Sequence, residues 1–336
     1  MPEAEIPDTL RDDLRTAWHR YVDMLVPLRP DLHRYCRRLA GNIWDAEDLA
    51  QDTLVRAFGR WGVTYPEIRE PRAYLLRTAT NVWIDTLRRR ETERAGQPAP
   101  PEQLPAPGTD AETASAVRDA SARLLQALSP QERAALVLKE VFDMTLEEIA
   151  DLLATTTGAI KAALHRGRDR LRDEPGRTTP RRPAPSPELL DRFVERYNAR
   201  DVSGLVALML DGGTAENVGN SFHVGRGDPS GGTPTFLHKV VHGHDEWPPQ
   251  TRPESVRIER VDLDGEPIIV SLVTRWGVEA LEVVFRFDER DQRIARIRAY
   301  GFCPETVQAV GDALGLPVRT GLYRAPTPAP GAEWSE

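Results

Sequence analysis

The chain has 336 residues, which is enough for two or three domains of ordinary size. It contains no run of about 18 apolar residues, and its acidic N-terminus lacks an apolar segment, so neither a membrane span nor a signal peptide is expected. Its two cysteines predict no disulfide framework and no zinc site, which fits a reducing cytoplasm. A net charge of −8 argues against a protein that coats nucleic acid without selectivity, so any DNA contact must come from local basic patches.

The N-terminal part of the chain predicts helices with one acidic surface. Residues 10–42 have helical patterns interrupted by Pro27 and Pro30, and a longer helix is expected to run from Asp45, as its N-cap, to Trp61. The side chains at helical spacing on the outer face of this helix are Asp48, Gln51, Asp52 and Val55. Such a stripe can dock a basic partner helix, but a solvated acidic face has the same pattern, so both interpretations stay open.

A second long helix is predicted from Arg72 to Arg90, with Pro71 in its first turn. Aromatic residues and arginines are interleaved along this helix and the loop before it, which suits stacking on unpaired bases and clamping of phosphates. The alternative is that most of these rings belong to the core. The residues concerned are Trp61, Tyr65, Tyr74, Arg77, Asn81, Trp83, Arg88, Arg89 and Arg90.

A stretch rich in proline, alanine and charge at residues 91–111 predicts an extended linker. Helix is expected to return at residues 111–128. Ser129 then begins a capping box that Glu132 completes, with Pro130 in the first helical position, so another helix is expected from there to about Val141.

Residues 143–172 predict two short helices joined by a tight turn, with Thr156 as the cap of the second. The apolar stripes of the two helices consist of Leu146, Ile149, Ala150 and Leu153, and of Ile160, Leu164, Gly167 and Leu171. Beside the second stripe lie the basic residues Lys161, His165, Arg166, Arg168, Arg170 and Arg172. A buried seam beside a basic face is typical of a recognition helix that enters the major groove, although a solvated basic helix has the same pattern.

Four motifs in this order and spacing resemble the extracytoplasmic-function (ECF, group 4) sigma factors of bacterial RNA polymerase. They are DAEDLAQDTLVRAF, PRAYLLRTATNVWIDTLRRR, LSPQERAALVLKEVFDMTLEEIADLL and GAIKAALHRGRDRLR. The resemblance implies an all-α region 2 domain at residues 10–90, a linker at 91–111 where region 3 is missing, and a region 4 helix-turn-helix domain at 112–173. It also implies a binding protein, with no catalytic residue, cofactor or metal, whose partners are promoter DNA and the clamp coiled coil and flap of core polymerase.

The resemblance implies a role for each matching residue. Asp48, Gln51 and Asp52 match the positions that meet the coiled coil of the polymerase clamp, and Arg56 with the loop from Trp61 to Arg72 matches the segment that melts the −10 element. The residues that match −10 contacts are Trp61, Arg77, Asn81, Arg88, Arg89 and Arg90, and those for the −35 element are Thr157, Lys161, His165, Arg166 and Arg168. The family often has arginine where this chain has Ala163, so the −35 sequence read is expected to differ, or to depend more on phosphates.

A second proline-rich break at residues 174–186 precedes a third domain at 187–320 and a tail at 321–336. Helix is predicted over Glu188–Leu210. Strands are predicted over Pro267–Trp276, Ala280–Asp288 and Arg293–Tyr300, the last two joined by a turn at Glu289–Asp291. This pattern predicts a helix packed on a curved antiparallel sheet, an α+β domain.

The opening of this domain, LLDRFVERYNARDVSGLVALMLDGGTAENVG, and its closing strands resemble a SnoaL-like domain of the NTF2-like cone-shaped fold. The resemblance implies a pocket for a small molecule and regulation of the sigma part in cis. Candidate pocket residues are Tyr197, Asp201, His223, His238, Trp276 and Tyr300.

Three alternatives compete with a sigma factor regulated in this way. One is a cyclase-like or isomerase-like pocket enzyme controlled by a DNA-binding N-terminal part. The second is an ordinary helix-turn-helix regulator that needs no polymerase, which leaves the Asp45–Arg90 block unexplained. The third concerns a single site, a metal bound by His238, His242 and His244, for which no further ligand stands at a telling spacing.

Overall fold

The structure is a computed structural model that describes residues 25–64, 70–95, 128–173, 184–219, 221–225, 232–246 and 252–320. The chain divides into two compact units between Thr179 and Pro180. Several predicted segments lie outside the described residues: the chain before residue 25, the linker beyond residue 95, the helix at 111–127, most of the second proline-rich break and the tail.

The N-terminal unit is built from helices. They are α1 (Arg29–Ala40, preceded by a 3-10 turn at Val26–Leu28), α2 (Ile43–Thr64), α3 (Pro71–Ala95), α4 (Pro130–Glu140), α5 (Leu146–Leu152) and α6 (Thr157–Asp173). Pro30 lies in the first turn of α1, and Gly41 ends that helix in the left-handed conformation that glycine adopts without strain.

The cap of α2 differs from the prediction. The side-chain oxygen of Asn42 accepts hydrogen bonds from the backbone N–H groups of Trp44 and Asp45, at 3.1 and 2.8 Å. Asn42 therefore caps the helix and the assignment of Asp45 was wrong, because Asp45 is already inside the first turn, where its carboxylate accepts from the Asn42 amide at 2.9 Å.

Helix α3 runs to Ala95, five residues beyond Arg90, into the segment that was predicted to be linker. The residues after Arg90 are compatible with helix, and the hydroxyl of Thr92 donates to the carbonyl of Arg88 at 3.0 Å. The first strong helix breakers in the sequence are Gly96 and Pro98.

Side-chain caps set the N-terminal starts of α4, α5 and α6. The predicted capping box of Ser129 and Glu132 is confirmed, and a second box, formed by Thr145 and Glu148, begins α5. The sequence reading missed this second box although its T-x-x-E signature is present. Thr156 accepts from the backbone N–H of Ala159 at 3.1 Å, which confirms it as the cap of α6.

A single apolar core runs from α1 to α6. Its most deeply buried members include Tyr35, Leu39, Ala50, Leu76, Leu138, Ile149 and Ile160. The segments that match regions 2 and 4 therefore share one core among the described residues, although their patterns predicted two separate domains. The two apolar stripes that flank the tight turn both point into this core.

The C-terminal unit combines helices with a sheet. Its helices are α7 (Pro187–Asn198), α8 (Val202–Leu208), α9 (Gly232–His242, followed by a 3-10 turn at Gly243–Glu246) and α10 (Pro304–Leu314). Its strands are β1 (Met209–Asn217), β2 (Ser221–Val224), β3 (Ser255–Leu263), β4 (Glu266–Arg275), β5 (Val278–Arg290) and β6 (Arg293–Ala299). Within the described residues these six strands form one mixed sheet in the order β2-β1-β6-β5-β4-β3, with β1 and β6 parallel.

Helices α7, α8 and α9 pack against the sheet through a second core, which includes Leu190, Phe193, Leu205, Phe236, Ile269, Phe285, Phe287 and Ile297. This arrangement confirms the predicted α+β class. The prediction of a purely antiparallel sheet was wrong, because β1 pairs in parallel with β6. The two cysteines, Cys36 and Cys303, are both buried, one in each unit, and no disulfide joins them.

The predicted helix at 188–210 is interrupted, because Arg200 has a left-handed backbone (φ 56°) and Asp201 caps the new helix α8. Strand β1 then begins at Met209. Its sequence, MLDGGTAEN, has low strand propensity, and it becomes a strand because β2 and β6 pair with it on both sides.

The three predicted strands are confirmed as β4, β5 and β6, but their connecting turn is not at Glu289–Asp291. Strand β5 continues to Arg290, and the turn residues are Asp291 and Gln292, with φ of 53° and 57°. Strand β3 was missed although Val256 and Ile258 alternate with polar residues, and helices α9 and α10 were missed as well.

Candidate nucleic-acid interface

The seam of α6 is buried and its basic side is exposed. Ile160 and Leu164 are 2% and 4% exposed, while the Lys161 and Arg168 side chains one step round the helix reach solvent. These side chains line a groove of about 550 Å³ between α4, α5 and α6, together with Lys139, Leu146, Leu164, His165, Asp169 and Arg172. The groove is basic, since Asp169 is the one acid among these lining residues.

Exposed basic side chains of α6 contact carboxylates that lie close to them at the surface. The Nδ1 atom of His165 lies 2.6 Å from Asp169, and a guanidinium nitrogen of Arg168 lies 2.6 Å from Glu140. Exposed pairs of this kind contribute about 0–1 kcal/mol each, so His165 and Arg168 can exchange their partners for phosphates at little cost.

Arg166 and Arg170 have a different environment. Their guanidinium groups donate to the carboxylate of Glu132 on α4, at 3.0 and 2.7 Å, and this carboxylate is 3% exposed. Burial alone would raise the pKa of the Glu132 carboxyl, but hydrogen bonds from Ser129 and the two arginines lower it below its usual value. Arg166 was a predicted DNA contact, and in this structure it is bonded within the protein.

Two further positions of α6 that the −35 prediction concerned, Thr157 and Ala163, differ in exposure. Ala163 is 6% exposed and belongs to the core, so the position where the family often has arginine faces inward here. Thr157 lies half-buried at the first residue of α6.

A second groove, of about 450 Å³, contains several of the predicted −10 residues. It is lined by Arg56, Arg60, Thr78, Asn81, Ile84, Asp85, Arg88, Gln131 and Leu153. Arg56 and Asp85 form an exposed ion pair at 3.1 Å, and Asn81 and Arg88 are exposed. The structure therefore places Arg56, Asn81 and Arg88 in the lining of one groove.

Arg77 donates to the backbone carbonyls of Asp151 and Leu152, at 2.6 and 3.0 Å, where α5 ends. Arg133 of α4 makes a comparable contact in the other direction, to the carbonyl of Leu39 at 2.7 Å near the end of α1. A guanidinium group at a helix C-terminus satisfies free carbonyls and complements the helix dipole. Arg77 of α3 thus binds the C-terminal end of α5, and Arg133 of α4 binds the C-terminal end of α1.

The aromatic residues near these arginines are largely structural. Trp83 is 5% exposed, and the Cζ atom of Arg133 lies 5.1 Å above the centroid of its ring. Tyr74 is half-buried and packs against the core. Burial lowers the pKa of Arg133 to about 10, so it stays charged at neutral pH. Arg89 is exposed, whereas the side chains of Trp61, Tyr65 and Arg90 lie outside the described residues.

The acidic stripe of α2 lies partly at the surface. Asp52 is exposed, Asp48 and Gln51 are half-buried, and Val55 is 60% exposed. The Gln51 amide donates to Glu47 at 2.7 Å. An exposed apolar side chain beside carboxylates is compatible with docking of a basic helix.

The candidate pocket residues of the C-terminal unit have separate structural roles. The hydroxyl of Tyr197 donates to the carbonyl of Val240 at 3.0 Å, and burial raises its pKa. Asp201 caps α8 by accepting from the N–H of Gly204 at 2.8 Å. Both side chains therefore take part in the packing and capping of helices.

The remaining pocket candidates lie in unlike surroundings. Tyr300 is fully buried, and His223 is 9% exposed with its ring 5.5 Å from that of Phe236. Trp276, in contrast, is 74% exposed on the turn between β4 and β5. An exposed turn residue does not line an enclosed pocket, so the assignment of Trp276 was wrong.

The three histidines of the metal alternative also differ from one another. The rings of His238 and His242 lie 4.9 Å apart, and His242 pairs with Asp245 at 3.3 Å. Burial lowers the pKa of His244. No group of three or more metal-ligating side chains occurs in the part of the chain that the structure describes. In that same part, no helix has the length and apolar character needed to cross a membrane.

Comparison with known proteins agrees with the helical motifs. Residues 24–93 match the Sigma-70 region 2 family, and residues 119–171 match the Sigma-70 region 4 family. The RNA polymerase sigma-E factor of Streptomyces coelicolor is 38% identical over 144 residues, which cover 43% of this chain and 78% of that protein.

The ECF RNA polymerase sigma factor SigG of Mycobacterium tuberculosis is 33% identical over 221 residues. That match covers 57% of this chain and 58% of SigG, so the chain spans little more than half of this relative. The crystal structure of the Mycobacterium tuberculosis ECF sigma factor SigJ covers 85% of this chain and 98% of that one, with 20% identity and a TM-score of 0.31. Similarity at that level adds no argument about fold or function.

The region 2 match contains the acidic stripe of α2 and most of the residues that line the second groove. The region 4 match contains both capping boxes and the exposed Lys161, His165 and Arg168 of α6. The chain therefore belongs to the RNA polymerase sigma factors, in their extracytoplasmic-function group.

Proposed function

We propose that this chain is the specificity subunit that brings core RNA polymerase to promoters. The observation that carries the proposal is the construction of α6, whose apolar seam is buried while Lys161, His165 and Arg168 remain exposed beside a basic groove. A helix held in this way can enter the DNA major groove without losing its packing.

Helix α6 is proposed to contact the −35 element. Residues near the start of a recognition helix reach base edges, so Lys161 and His165, with Thr157 at the first turn, are assigned to base contacts. Arg168 and Lys139 line the same groove and are assigned to phosphates. A lysine such as Lys161 commonly recognises guanine by donating hydrogen bonds to its major-groove edge.

The second groove is proposed to hold the −10 strand. Arg56, Asn81 and Arg88 line it, and their donors suit phosphates and unpaired bases. Trp61, Arg89 and Arg90 are proposed to extend this surface. Arg77 already donates from Nε and one terminal nitrogen to the carbonyls of Leu152 and Asp151, so a promoter contact through these donors requires both hydrogen bonds to break.

Asp48, Gln51 and Asp52 are proposed to bind the clamp coiled coil of core polymerase, and the region 4 segment to bind the flap. The exposed Val55 supports this assignment, because an apolar contact inside a charged rim is the usual composition of a protein interface. Polymerase and promoter DNA are both cytoplasmic, so this function places the protein there.

The C-terminal unit is proposed to be a SnoaL-like domain that regulates the sigma part in cis, with a small molecule as its ligand. The helix-on-sheet architecture supports this assignment. A ligand can alter the regulation only by binding one arrangement of the protein more tightly than another.

Run-off transcription tests the proposal. Purified full-length protein is added to core polymerase on genomic promoter fragments and on the same fragments with a scrambled −10 or −35 element. We expect transcripts that depend on the added protein and that decrease when either element is scrambled. Asp52→Arg should abolish them by repelling the basic clamp, while Asp312→Arg, an exposed position of α10, should not. Absence of any protein-dependent transcript would refute the function.

A further inference from the structure

One carboxylate organises the approach of α6 to the rest of the protein. Glu132 accepts from the backbone N–H of Ser129 at 3.0 Å, from Arg166 at 3.0 Å and from Arg170 at 2.7 Å. Its side chain is 3% exposed, while the Arg166 and Arg170 side chains are 58% and 48% exposed. A buried carboxylate thus holds two surface guanidinium groups from one helix.

The spacing of the two arginines matters for what this contact does. Arg166 and Arg170 are four residues apart and therefore lie one above the other on the same side of α6. Between them the buried Gly167 lies against Glu132 and Leu128, where an added Cβ would be 3.6 and 3.7 Å from their nearest atoms. An added methyl group would fit there in ordinary contact, so the constraint on α6 comes from the two arginines. Two anchors one turn apart set both the rotation of α6 about its axis and its position along that axis.

Freeing either arginine for DNA has an energetic cost. If Arg166 turned towards DNA, Glu132 would lose one of its charge-assisted hydrogen bonds while remaining buried. Breaking one partner away from a buried charge is strongly unfavourable, whereas exposed pairs such as Arg168 with Glu140 separate at little cost. The same helix therefore carries two kinds of basic residue.

We propose that Glu132 is a positioning residue for −35 recognition, and that Arg166 and Arg170 place the recognition helix instead of reading DNA. Lys161, His165 and Arg168 then make the DNA contacts. This inference rests on the proposed −35 function of α6 and refines it by removing Arg166 from the reading surface.

Glu132→Gln is the substitution that isolates this role. Glutamine also completes a capping box, so the start of α4 is preserved while the charge that holds Arg166 and Arg170 is removed. The two released guanidinium groups should increase attraction to phosphates of any sequence and loosen the placement of the helix. Glu147→Gln is the matched control, since it removes an exposed carboxylate from α5 in the same unit.

The experiment uses full-length protein bound to core polymerase. Dissociation constants are measured for a promoter fragment and for the same fragment with a scrambled −35 element, over a range of salt concentrations. For Glu132→Gln we expect the preference for the intact element to fall by about tenfold, the size of one lost base contact, with scrambled DNA bound at least as tightly as before. Glu147→Gln should keep the wild-type preference.

A second variant keeps the test decisive if Glu132→Gln fails to fold, as thermal melting would show. Arg166→Ala should lower the preference for the intact element and leave the slope of log K against log salt unchanged. Arg168→Ala, in contrast, should lower that slope by about one, because Arg168 is assigned to a phosphate.

The outcomes separate the inference from the function on which it rests. A wild-type protein that does not prefer the intact −35 element would refute the proposed function of α6. If the wild type has that preference, the inference is overturned by a Glu132→Gln protein that retains it. It is also overturned if Arg166→Ala reduces the salt slope by about one, because Arg166 would then be a DNA contact.

Discussion

At the scale of single residues, Asp201 shows how a candidate catalytic group becomes a structural one. It accepts from the N–H of Gly204 at 2.8 Å and from the guanidinium of Arg196 at 2.9 Å. An added Cβ on Gly204 would lie 2.2 Å from the Asp201 carboxylate, so the turn is closely fitted around the cap. The Asp201 carboxylate therefore serves as the N-cap of α8.

Substitution of Asp201 should separate capping from catalysis. Asn caps helices about as well as Asp, so Asp201→Asn should melt close to the wild type, while Asp201→Ala should lower the melting temperature of the C-terminal unit by about 2–4 °C. Thermal unfolding followed by circular dichroism measures both. Equal losses for Asn and Ala would show that the carboxylate charge, and not the cap, is what matters.

Glu132 should also affect the pH dependence of stability. Its pKa is lowered below the usual 4.5 in the folded protein, so its contribution is fully present above pH 4.5 and is lost as the pH falls through the lowered pKa. Urea denaturation of the wild type and Glu132→Gln should therefore give a stability difference at pH 7 that shrinks towards pH 3. A difference that grows on acidification would contradict the assigned direction.

At the scale of elements, the short helix α5 depends on its cap. It has seven residues, and helices of that length are not stable on their own. The Thr145 hydroxyl accepts from the N–H of Glu148 at 3.2 Å, and the Glu148 carboxylate accepts from the N–H of Thr145 at 2.7 Å. This reciprocal pair and the buried Ile149 hold α5 in place, where its Leu146 forms part of the groove beside α6.

Removing this cap should be measurable. Thr145→Ala should destabilise the N-terminal unit by about 1 kcal/mol, because one backbone N–H of the first turn loses its partner. Chemical denaturation followed by circular dichroism gives the difference. Thr155→Ala, at an exposed position in the turn before α6, is the control and should change stability by less than about 0.5 kcal/mol. Equal effects of the two substitutions would remove the cap as the explanation.

At the scale of the whole molecule, the chain consists of two units with separate cores. Within the N-terminal unit, Arg77 and Arg133 tie the two helical segments together through helix ends. The proposed −10 and −35 surfaces therefore belong to one compact body in this structure. The proposed regulation by the C-terminal unit would then change the access of polymerase and DNA to these surfaces of the N-terminal unit.

Deletion of the residues after Arg182 should change promoter output in run-off transcription without removing any proposed DNA contact. A coupling of ordinary size would change the amount of transcript by at least about fivefold. A second truncation that removes only residues 324–336 keeps the C-terminal unit and should behave like the full-length chain. Unchanged output after the long truncation would defeat the idea of regulation in cis.

The sequence by itself determined the features that depend on neighbouring residues. The periodicity of Ile160 and Leu164 predicted the buried seam of α6, and the capping box of Ser129 was visible because its partner is three residues away. Hydrophobic alternation likewise identified β4, β5 and β6. Such signals are local because helix and strand periods repeat within a few residues.

Only the tertiary structure decided which partner each basic residue of α6 meets. Arg166 and Arg168 have the same chemistry and similar exposure, but Arg166 meets the buried Glu132, 34 residues away in sequence, and Arg168 meets an exposed carboxylate. Likewise, Arg77 finds its carbonyls 74 and 75 residues away, and β1 is a strand because β2 and β6 flank it. The strength of each contact depends on how deeply its partner is buried. Because these partners are far apart in sequence, only the folded chain brings them together.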